Sequence, residues 1–448
     1  MYGINDMIGK TGIQYVFEEY LKGTDGIRQL DMAVDGTITE EYISKEAISG
    51  SDVILTIDAN LQAITEKALE ENIKKIANGE YGKKTNANAG AAVVMNVKTG
   101  EILSLASYPY YEPELFITGI TEEKLAEYNN GNYVNRAISG VYAPGSTFKM
   151  VTAIAGLETG AITPEEKIND VGVYPRAHEP ACWLWNSYGM GHGYLNVSEA
   201  IKHSCNYFFY EVGYRTTIDN IAKYADYFGL ARKTNIELPS EEAGDKASRD
   251  KEKERGYEWQ IGETLSAAIG QTYNNFTPIQ MARYISILAN GGKQVDVSII
   301  KSVINSDGIE VPKEEIRKFV NNKLGLTEDK REDLDIKKEN IEAVLKGMKG
   351  VTSEEGGTAY GTFSDFNIEL GGKTGSAQTG VEGEINGWFV GFAPYDDPEI
   401  AVVVLVEKAG SGSYTAEIAK EIMQEYFGMN MEKVDEDLTA IPSMQIQN

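Results

Sequence analysis

Hydrophobic and polar positions along this chain follow two periods, and the changes between them predict where strands give way to helices. Residues 51–76 begin as a strand and continue as a helix with an apolar stripe along one face. Residues 89–107 and 386–410 each contain two apolar strands around a turn, which predicts two β hairpins. Helical periods dominate 145–230 and return in three later segments, 262–270, 277–292 and 414–427.

The order of these elements predicts the fold class. Strands come first, helices fill the middle, and strands with a closing helix end the chain, which argues against a regular βαβ array. We therefore expect an α/β fold of the α+β kind, in which an antiparallel sheet is flanked by helices and carries a helical subdomain. The charge-rich residues 305–340 are predicted to form a surface insertion.

Composition narrows the class of function. The formal net charge of −26 would repel nucleic acid and anionic lipid surfaces, so neither is expected as the main partner. Two cysteines are too few for a disulfide framework. The sequence contains no apolar run long enough to span a bilayer and no visible signal peptide, and we expect it to come from a longer, membrane-anchored parent.

A serine and a lysine three positions apart indicate the candidate nucleophile and its base. Ser146 follows a Pro-Gly turn at the predicted start of a helix, and Lys149 lies one turn later on the same face. A serine hydroxyl is a weak nucleophile until a base removes its proton, and burial favours the neutral lysine that can act as this base. Because serine at a helix start is also ordinary capping, this motif alone does not establish catalysis.

Two further motifs complete the pattern. S-x-x-K, S-x-N and K-T-G occur together in one type of serine acyl-transfer site. Here S-x-N lies at 204–206, while K-T-G occurs at 10–12, 98–100 and 373–375, of which only the last follows the other motifs. A phosphate-binding loop is excluded there, because Asn367 stands where its first glycine is required. The motif residues are Ser146, Lys149, Ser204, Asn206, Lys373, Thr374, Gly375 and Ser376.

With these motifs and their surroundings, the chain resembles the class B penicillin-binding proteins. The likeness covers roughly residues 8–430 and includes the stretches "NRAISGVYAPGSTFKMVTA", "GQTYNNFTPIQMA" and "GWFVGFAP". The resemblance implies a penicillin-binding transpeptidase fold, like that of the serine β-lactamases, over residues 51–430. It also implies that 1–50 is the remnant of an N-terminal pedestal region and that 431–448 is a C-terminal tail.

The resemblance further implies a peptidoglycan D,D-transpeptidase that cross-links stem peptides through an acyl-enzyme on Ser146. Lys149 would activate the serine, and Ser204 would pass a proton to the leaving D-alanine. Asn206 would hold Lys149 and the substrate amide. The backbone amides of Ser146 and Ser376 would form the oxyanion hole.

The family also implies how the substrate is held and which partners the chain meets. Lys373 would attract the terminal carboxylate of the substrate, and the hydroxyls of Thr374 and Ser376 would bind it. The implied partners are lipid II-derived stem peptides, β-lactam antibiotics and a membrane glycan polymerase of the elongation or sporulation machinery. The site would work on the extracytoplasmic face of the cell membrane, and the sequence does not distinguish elongation from sporulation.

Two other functions share these motifs, namely a serine β-lactamase and a non-catalytic penicillin-binding sensor module. A β-lactamase adds a glutamate that activates a deacylating water. Glu165 and Asn169 have a similar spacing, but they precede S-x-N, whereas the glutamate of those enzymes follows it. Rapid turnover of a chromogenic β-lactam would favour the β-lactamase.

All histidines and cysteines of the chain fall between residues 178 and 205, a clustering that favours a metal site. Cys205 should point away from the substrate, because it separates two residues that face it. Some elongation-type class B members carry zinc here, with a histidine thirteen residues before this cysteine, as His192 is. We therefore predict a structural Zn²⁺ whose ligands are His178, Cys182, His192 and Cys205, with His203 or Asp170 as alternatives.

Overall fold

The structure is a computed structural model that describes residues 8–129, 131–327, 329 and 335–429, so the predicted tail at 431–448 lies outside it. Its strands are β1 (Ile27–Met32), β2 (Ile38–Lys45), β3 (Asp52–Leu55), β4 (Ala89–Asn96), β5 (Ile102–Tyr108), β6 (Ile168–Asp170), β7 (Gly193–Leu195), β8 (Ile300–Ile304), β9 (Gly371–Gln378), β10 (Ile385–Ala393) and β11 (Ile400–Glu407).

The helices follow the same chain order, and two short 3₁₀ turns, Gly145–Phe148 and Gly412–Thr415, precede the seventh and the last of them. The α-helices are α1 (Gly12–Val16), α2 (Glu18–Leu21), α3 (Ala59–Asn78), α4 (Leu115–Thr118), α5 (Glu122–Tyr128), α6 (Arg136–Ser139), α7 (Lys149–Glu158), α8 (Trp183–Tyr188), α9 (Val197–Lys202), α10 (Asn206–Thr216), α11 (Ile218–Tyr227), α12 (Arg249–Glu254), α13 (Ile261–Ala268), α14 (Pro278–Ala289), α15 (Lys313–Leu324), α16 (Lys338–Ser353), α17 (Tyr360–Phe363) and α18 (Ala416–Tyr426).

A five-stranded antiparallel sheet with the order β5-β4-β11-β10-β9 forms the centre of the fold. Both predicted hairpins are present in it, because β4 pairs with β5 and β10 pairs with β11. The pairing of β11 with β4 joins the early and late parts of the chain. Strand β9, which carries the third K-T-G, is an edge strand paired with β10, so one side of its backbone borders the site.

Helices cover both faces of this sheet, which explains why its inner strands are almost continuously apolar. In β11 every residue from Ile400 to Val406 is buried. Helices α3 and α18 pack together against the sheet, and α14 packs against β4, β10 and β11. All twelve residues of α14 are buried, as expected for a helix enclosed on every side. The α/β class predicted from the order of elements is thus confirmed.

Two outlying segments show where the pattern carried less information. The antiparallel β1–β2 pair was not predicted, because all its residues are exposed and the alternation of a half-buried strand is missing. Helix α15 lies in the predicted surface insertion, but it is attached through the buried Ile316 and Val320. Among the described residues, no helix has both the length and the apolar character needed to cross a membrane.

Candidate active site and metal cluster

The turn that carries Ser146 is held tightly against the edge strand of the sheet. Ser146 lies in the 3₁₀ turn Gly145–Phe148, which leads directly into α7. Gly145 has a φ of 54° and donates its N–H to the carbonyl of Gly270 at 2.9 Å. A Cβ at residue 145 would come within 2.9 Å of the Ser376 carbonyl oxygen. Glycine is therefore needed both for this backbone conformation and for the close approach of the turn to β9.

Residues from all three motifs meet around the hydroxyl of Ser204. Lys149 Nζ donates to Asn206 Oδ1 at 2.6 Å, to the Ser204 carbonyl at 2.8 Å and to Ser204 Oγ at 3.2 Å. Lys373 Nζ lies 2.9 Å from the same Ser204 Oγ and 2.8 Å from the Thr374 carbonyl. The Ser146 hydroxyl forms no hydrogen bond with another described residue. Catalytic hydrogen bonds are often long in the absence of substrate, so this resting geometry is compatible with a nucleophile.

Burial shifts both lysines of this network towards the neutral amine. Both side chains are completely buried. Burial lowers the pKa of Lys149 to about 8. Burial and the nearby charge of Lys149 lower the pKa of Lys373 well below its ordinary value. Ser204 Oγ lies within hydrogen-bond distance of both amines, so this arrangement would allow a proton to pass between the three groups.

The S-x-N segment is the junction between two helices, and it holds Ser204 in an unusual backbone conformation. The N–H of Ser204 bonds the Ile201 carbonyl at 3.1 Å, and that of Cys205 bonds the Ala200 carbonyl at 2.9 Å. These two bonds end α9 as a Schellman motif, in which glycine usually occupies the left-handed position. Here Ser204 occupies it, with a φ of 53°. A non-glycine residue there costs about 1–2 kcal/mol, which suits a position that requires a hydroxyl group.

The K-T-G segment presents two hydroxyl groups on one face of the edge strand. Thr374 is buried and Ser376 is exposed. A Cβ at Gly375 would lie 2.9 Å from the Pro144 carbonyl oxygen, so glycine allows β9 to approach the nucleophile turn. Thr374 Oγ1 lies 2.7 Å from Thr358 Oγ1, a neighbour that no motif predicted.

Four side chains of types that can bind a metal form a second cluster, directly behind the S-x-N segment. They are Asp170, Cys182, His192 and Cys205, and one donor atom from each lies within 4.8 Å of all the others. Cys205 Sγ is 3.2 Å from Asp170 Oδ2 and 4.0 Å from Cys182 Sγ, while His192 Nδ1 is 2.7 Å from Asp170 Oδ2 and 3.6 Å from Cys182 Sγ. Cys205 therefore points away from Lys149, whereas the side chains on either side of it point towards this lysine.

This donor set fits a zinc ion. Tetrahedral zinc with metal–ligand distances of about 2.0–2.3 Å separates its donors by roughly 3.3–3.8 Å, close to the sulfur contacts in the cluster. Thiolate is the form that binds metal. The contact with Cys205 lowers the pKa of Cys182 to about 4, whereas burial raises the pKa of Cys205, so a bound cation would be needed to stabilise the second thiolate. Asp170 and both cysteines are buried, so the cluster is closed to solvent on most sides.

The prediction that His178 is a ligand is wrong, and Asp170 takes its place in the cluster. Residues 174–180 form a loop in which Ala177 and Glu179 both have positive φ, and His178 lies exposed at its tip. Its ring packs against Gly262 of α13 instead. The alternative ligand His203 is also outside the cluster, because its Nδ1 faces the Gly356 carbonyl at 3.3 Å.

The glutamate weighed for a β-lactamase occupies an ordinary surface position. Glu165 is exposed, and Asn169 is exposed within β6. The neighbouring Glu166 is paired with Arg215, whose Nη1 lies 2.6 Å from its carboxylate. None of these side chains contacts Lys149 or Ser204.

Comparisons with known proteins agree with this geometry. The family model of the penicillin binding protein transpeptidase domain matches residues 90–424, and that of the penicillin-binding protein dimerisation domain matches 1–55. Peptidoglycan D,D-transpeptidase MrdA of Haemophilus influenzae is 30% identical over 97% of this chain, which spans 65% of that relative. The structure of Pseudomonas aeruginosa PBP2 in complex with WCK 5153 superposes with a TM-score of 0.75 at 31% identity, covering 94% of this chain and 84% of its own. A chain from a peptidoglycan synthase complex that coordinates polymerization and crosslinking superposes with a TM-score of 0.80 at 29% identity. The match covers 98% of this chain and 73% of that one.

Proposed function

The chain belongs to the class B penicillin-binding proteins, and from this we propose that it is a D,D-transpeptidase that cross-links peptidoglycan stem peptides. The observation that carries the proposal is the contact of Lys149, Ser204 and Lys373 through one serine hydroxyl, beside the turn of Ser146. It joins two buried amines through a hydroxyl that can carry a proton, next to a candidate nucleophile.

Acylation begins when Ser146 Oγ attacks the carbonyl carbon of the penultimate D-alanine of a stem peptide. Neutral Lys149 takes the hydroxyl proton as the new ester bond forms. The backbone N–H groups of Ser146 and Ser376 bind the negative oxygen of the tetrahedral intermediate, and the dipole of α7 adds to this stabilisation. The intermediate collapses when Ser204 delivers a proton to the departing amine, so the terminal D-alanine leaves as a neutral amine.

The carboxylate of that terminal D-alanine is held at the K-T-G strand. The hydroxyls of Thr374 and Ser376 donate to it. The negative charge of the bound carboxylate raises the pKa of Lys373 again, so this lysine supplies positive potential from behind Ser204 when substrate is present. The amine of a second stem peptide then attacks the ester carbonyl and passes its proton back through Ser204 and Lys149, which releases Ser146 and leaves a cross-link. A β-lactam presents a similar carbonyl and carboxylate, but its ring-opened leaving group stays attached to the acyl group, so the adduct persists.

Lys373 offers a direct test of carboxylate recognition and proton transfer. Lys373→Ala should slow acylation by benzylpenicillin at least about tenfold, equivalent to about 1.4 kcal/mol of transition-state stabilisation. The matched control is Lys98→Ala, because Lys98 belongs to another K-T-G triplet and pairs with Asp397 on the surface. Stopped-flow kinetics should show a reduced acylation rate for Lys373→Ala and an unchanged rate for Lys98→Ala. An unchanged rate for Lys373→Ala would exclude Lys373 from carboxylate recognition and proton transfer.

A second part of the proposal concerns a structural zinc ion held by Asp170, Cys182, His192 and Cys205. The ion would fasten the S-x-N segment from behind, through Cys205, while Ser204 and Asn206 face the substrate. Such support suits Ser204, since its left-handed backbone would otherwise relax. The four side chains would complete a closed coordination shell around the ion and leave no open position for chemistry.

Removal of a cluster ligand should affect stability and catalysis together. Cys205→Ser should lower the zinc content from about one per chain, lower the unfolding temperature and slow penicillin acylation roughly tenfold, although Cys205 touches no substrate. His178→Ala is the control and should leave all three unchanged, because His178 lies outside the cluster. Metal-free protein that melts and acylates as the zinc-loaded protein does would contradict this role.

The cellular setting follows from the substrate. Peptidoglycan stem peptides are presented outside the cytoplasmic membrane on lipid II, so we propose that the site works on the extracytoplasmic face of that membrane. The similarity to a chain of a peptidoglycan synthase complex supports a membrane glycan polymerase as partner. Polymerisation and cross-linking act on the same strand, which favours their physical coupling.

A further inference from the structure

The loop between α16 and α17, residues 354–359, contacts the K-T-G strand and is identified by no motif. Its path is closely determined by two glycines. Gly356 has a φ of 83°, and a Cβ at Gly357 would collide with the backbone carbonyls that end α16. The N–H of Gly357 bonds the Glu354 carbonyl at 2.9 Å. These constraints restrict the backbone conformation of the loop and place Thr358 against strand β9.

The same loop is fastened to the S-x-N side of the site. Lys202 Nζ pairs with Glu354 Oε2 at 2.8 Å, and His203 Nδ1 lies 3.3 Å from the Gly356 carbonyl. The His203 carbonyl in turn accepts a hydrogen bond from Trp183 Nε1 at 3.1 Å. Residues next to Ser204 thus anchor a loop whose far end touches the K-T-G strand.

At that far end, one hydroxyl group determines how another can donate. Thr358 Oγ1 and Thr374 Oγ1 are 2.7 Å apart, and either could be the donor. A hydroxyl has one proton, so Thr374 can donate to a carboxylate only if Thr358 donates to Thr374. Ser376 shows the same arrangement, because its Oγ accepts the N–H of Gly412 at 3.0 Å. With Thr358 as the donor, each of these two hydroxyls would accept a hydrogen bond from behind and keep its own proton for the substrate carboxylate.

We propose that Thr358 is a positioning residue that orients the Thr374 hydroxyl towards the substrate carboxylate. The inference rests on the proposed function and refines it, because it makes selectivity for a carboxylate-bearing acyl donor depend on a residue outside the three motifs. Thr358 touches Thr374 and not the reacting carbonyl, so its loss should weaken recognition of the carboxylate and leave the acylation chemistry intact.

The test compares two acylating probes, benzylpenicillin and its methyl ester, which lacks the free carboxylate. For Thr358→Val, we expect the second-order acylation rate with benzylpenicillin to fall roughly tenfold, while the rate with the ester changes less than about twofold. Thr358→Ser keeps the hydroxyl and should retain most of the benzylpenicillin rate. Thr362→Val, in the adjacent α17, is the control for removal of a nearby hydroxyl and should leave both rates unchanged.

Each alternative outcome is distinguishable. Equal slowing with both probes in Thr358→Val, or in the smaller Thr358→Ala, would show that the residue only maintains the fold and would overturn the inference. Unchanged rates with both probes would overturn it as well. If the unsubstituted protein forms no adduct with either probe, the proposed function itself is wrong. The role of Thr358 in carboxylate binding is then excluded with it.

Discussion

Replacement of Ser146 with alanine is expected to abolish covalent labelling by penicillin. The reason is that Ser146 places a hydroxyl in the 3₁₀ turn directly before α7. This helix begins with the buried Lys149, and the turn approaches the edge strand β9 closely at Gly145. Removal of a catalytic serine typically costs on the order of 10⁶ in rate, which makes the remaining labelling undetectable. Fluorescent-penicillin labelling measures the effect, and an unchanged thermal unfolding curve shows that the fold is retained.

Ser204→Ala is the matched comparison for that experiment. It removes the other serine hydroxyl near Lys149 but leaves Ser146 in place, so labelling should become slower and remain stoichiometric. Labelling that survives in Ser146→Ala and vanishes in Ser204→Ala would identify Ser204 as the nucleophile and exclude the assignment made from the motifs.

Loss of the Lys149 amine should give the second-largest effect. Lys149→Met keeps the length and volume of the buried side chain but removes the base, and general-base catalysis contributes about 10²–10⁴ in rate. We expect acylation by benzylpenicillin to slow about a thousandfold while the nucleophile remains present. Acylation within tenfold of the normal rate would mean that another group accepts the Ser146 proton.

The pH dependence of acylation adds an independent check on Lys149. Because burial lowers the pKa of this lysine to about 8, the neutral amine that acts as base accumulates as the pH rises through that value. The acylation rate of the unsubstituted protein should therefore rise with pH, reach half of its maximum at about pH 8 and level off above about pH 9. The residual rate of Lys149→Met should lack this inflection, and a profile identical in the two proteins would exclude Lys149 as the titrating base.

Most of the central sheet could be predicted from the sequence, because its strands have a recognisable local pattern of residues. The apolar runs of β4, β10 and β11 are bounded by turn residues, and that pattern depends on burial alone. The β1–β2 pair has no such pattern, because all of its residues are exposed. The three motifs were recognisable because acyl transfer requires these residue types at short spacings, which the chain order preserves.

The surroundings of the site were harder to predict, because they depend on long-range packing. His178 was chosen as a ligand for its nearness in sequence to Cys182, but the positive φ angles of Ala177 and Glu179 turn it outward. Asp170 joins the candidate metal cluster from the end of β6, and carboxylates are too common for composition alone to single one out as a ligand. Thr358 reaches Thr374 only because the backbone of Gly357 packs against α16.

Acylation of Ser146 is tested most directly by mass spectrometry of the intact protein after treatment with benzylpenicillin, followed by mapping of the modified peptide. We expect a mass increase of one whole benzylpenicillin per chain, located on Ser146 and stable while free antibiotic is removed. No adduct, an adduct on another residue, or an adduct lost at once with release of hydrolysed penicillin would contradict it.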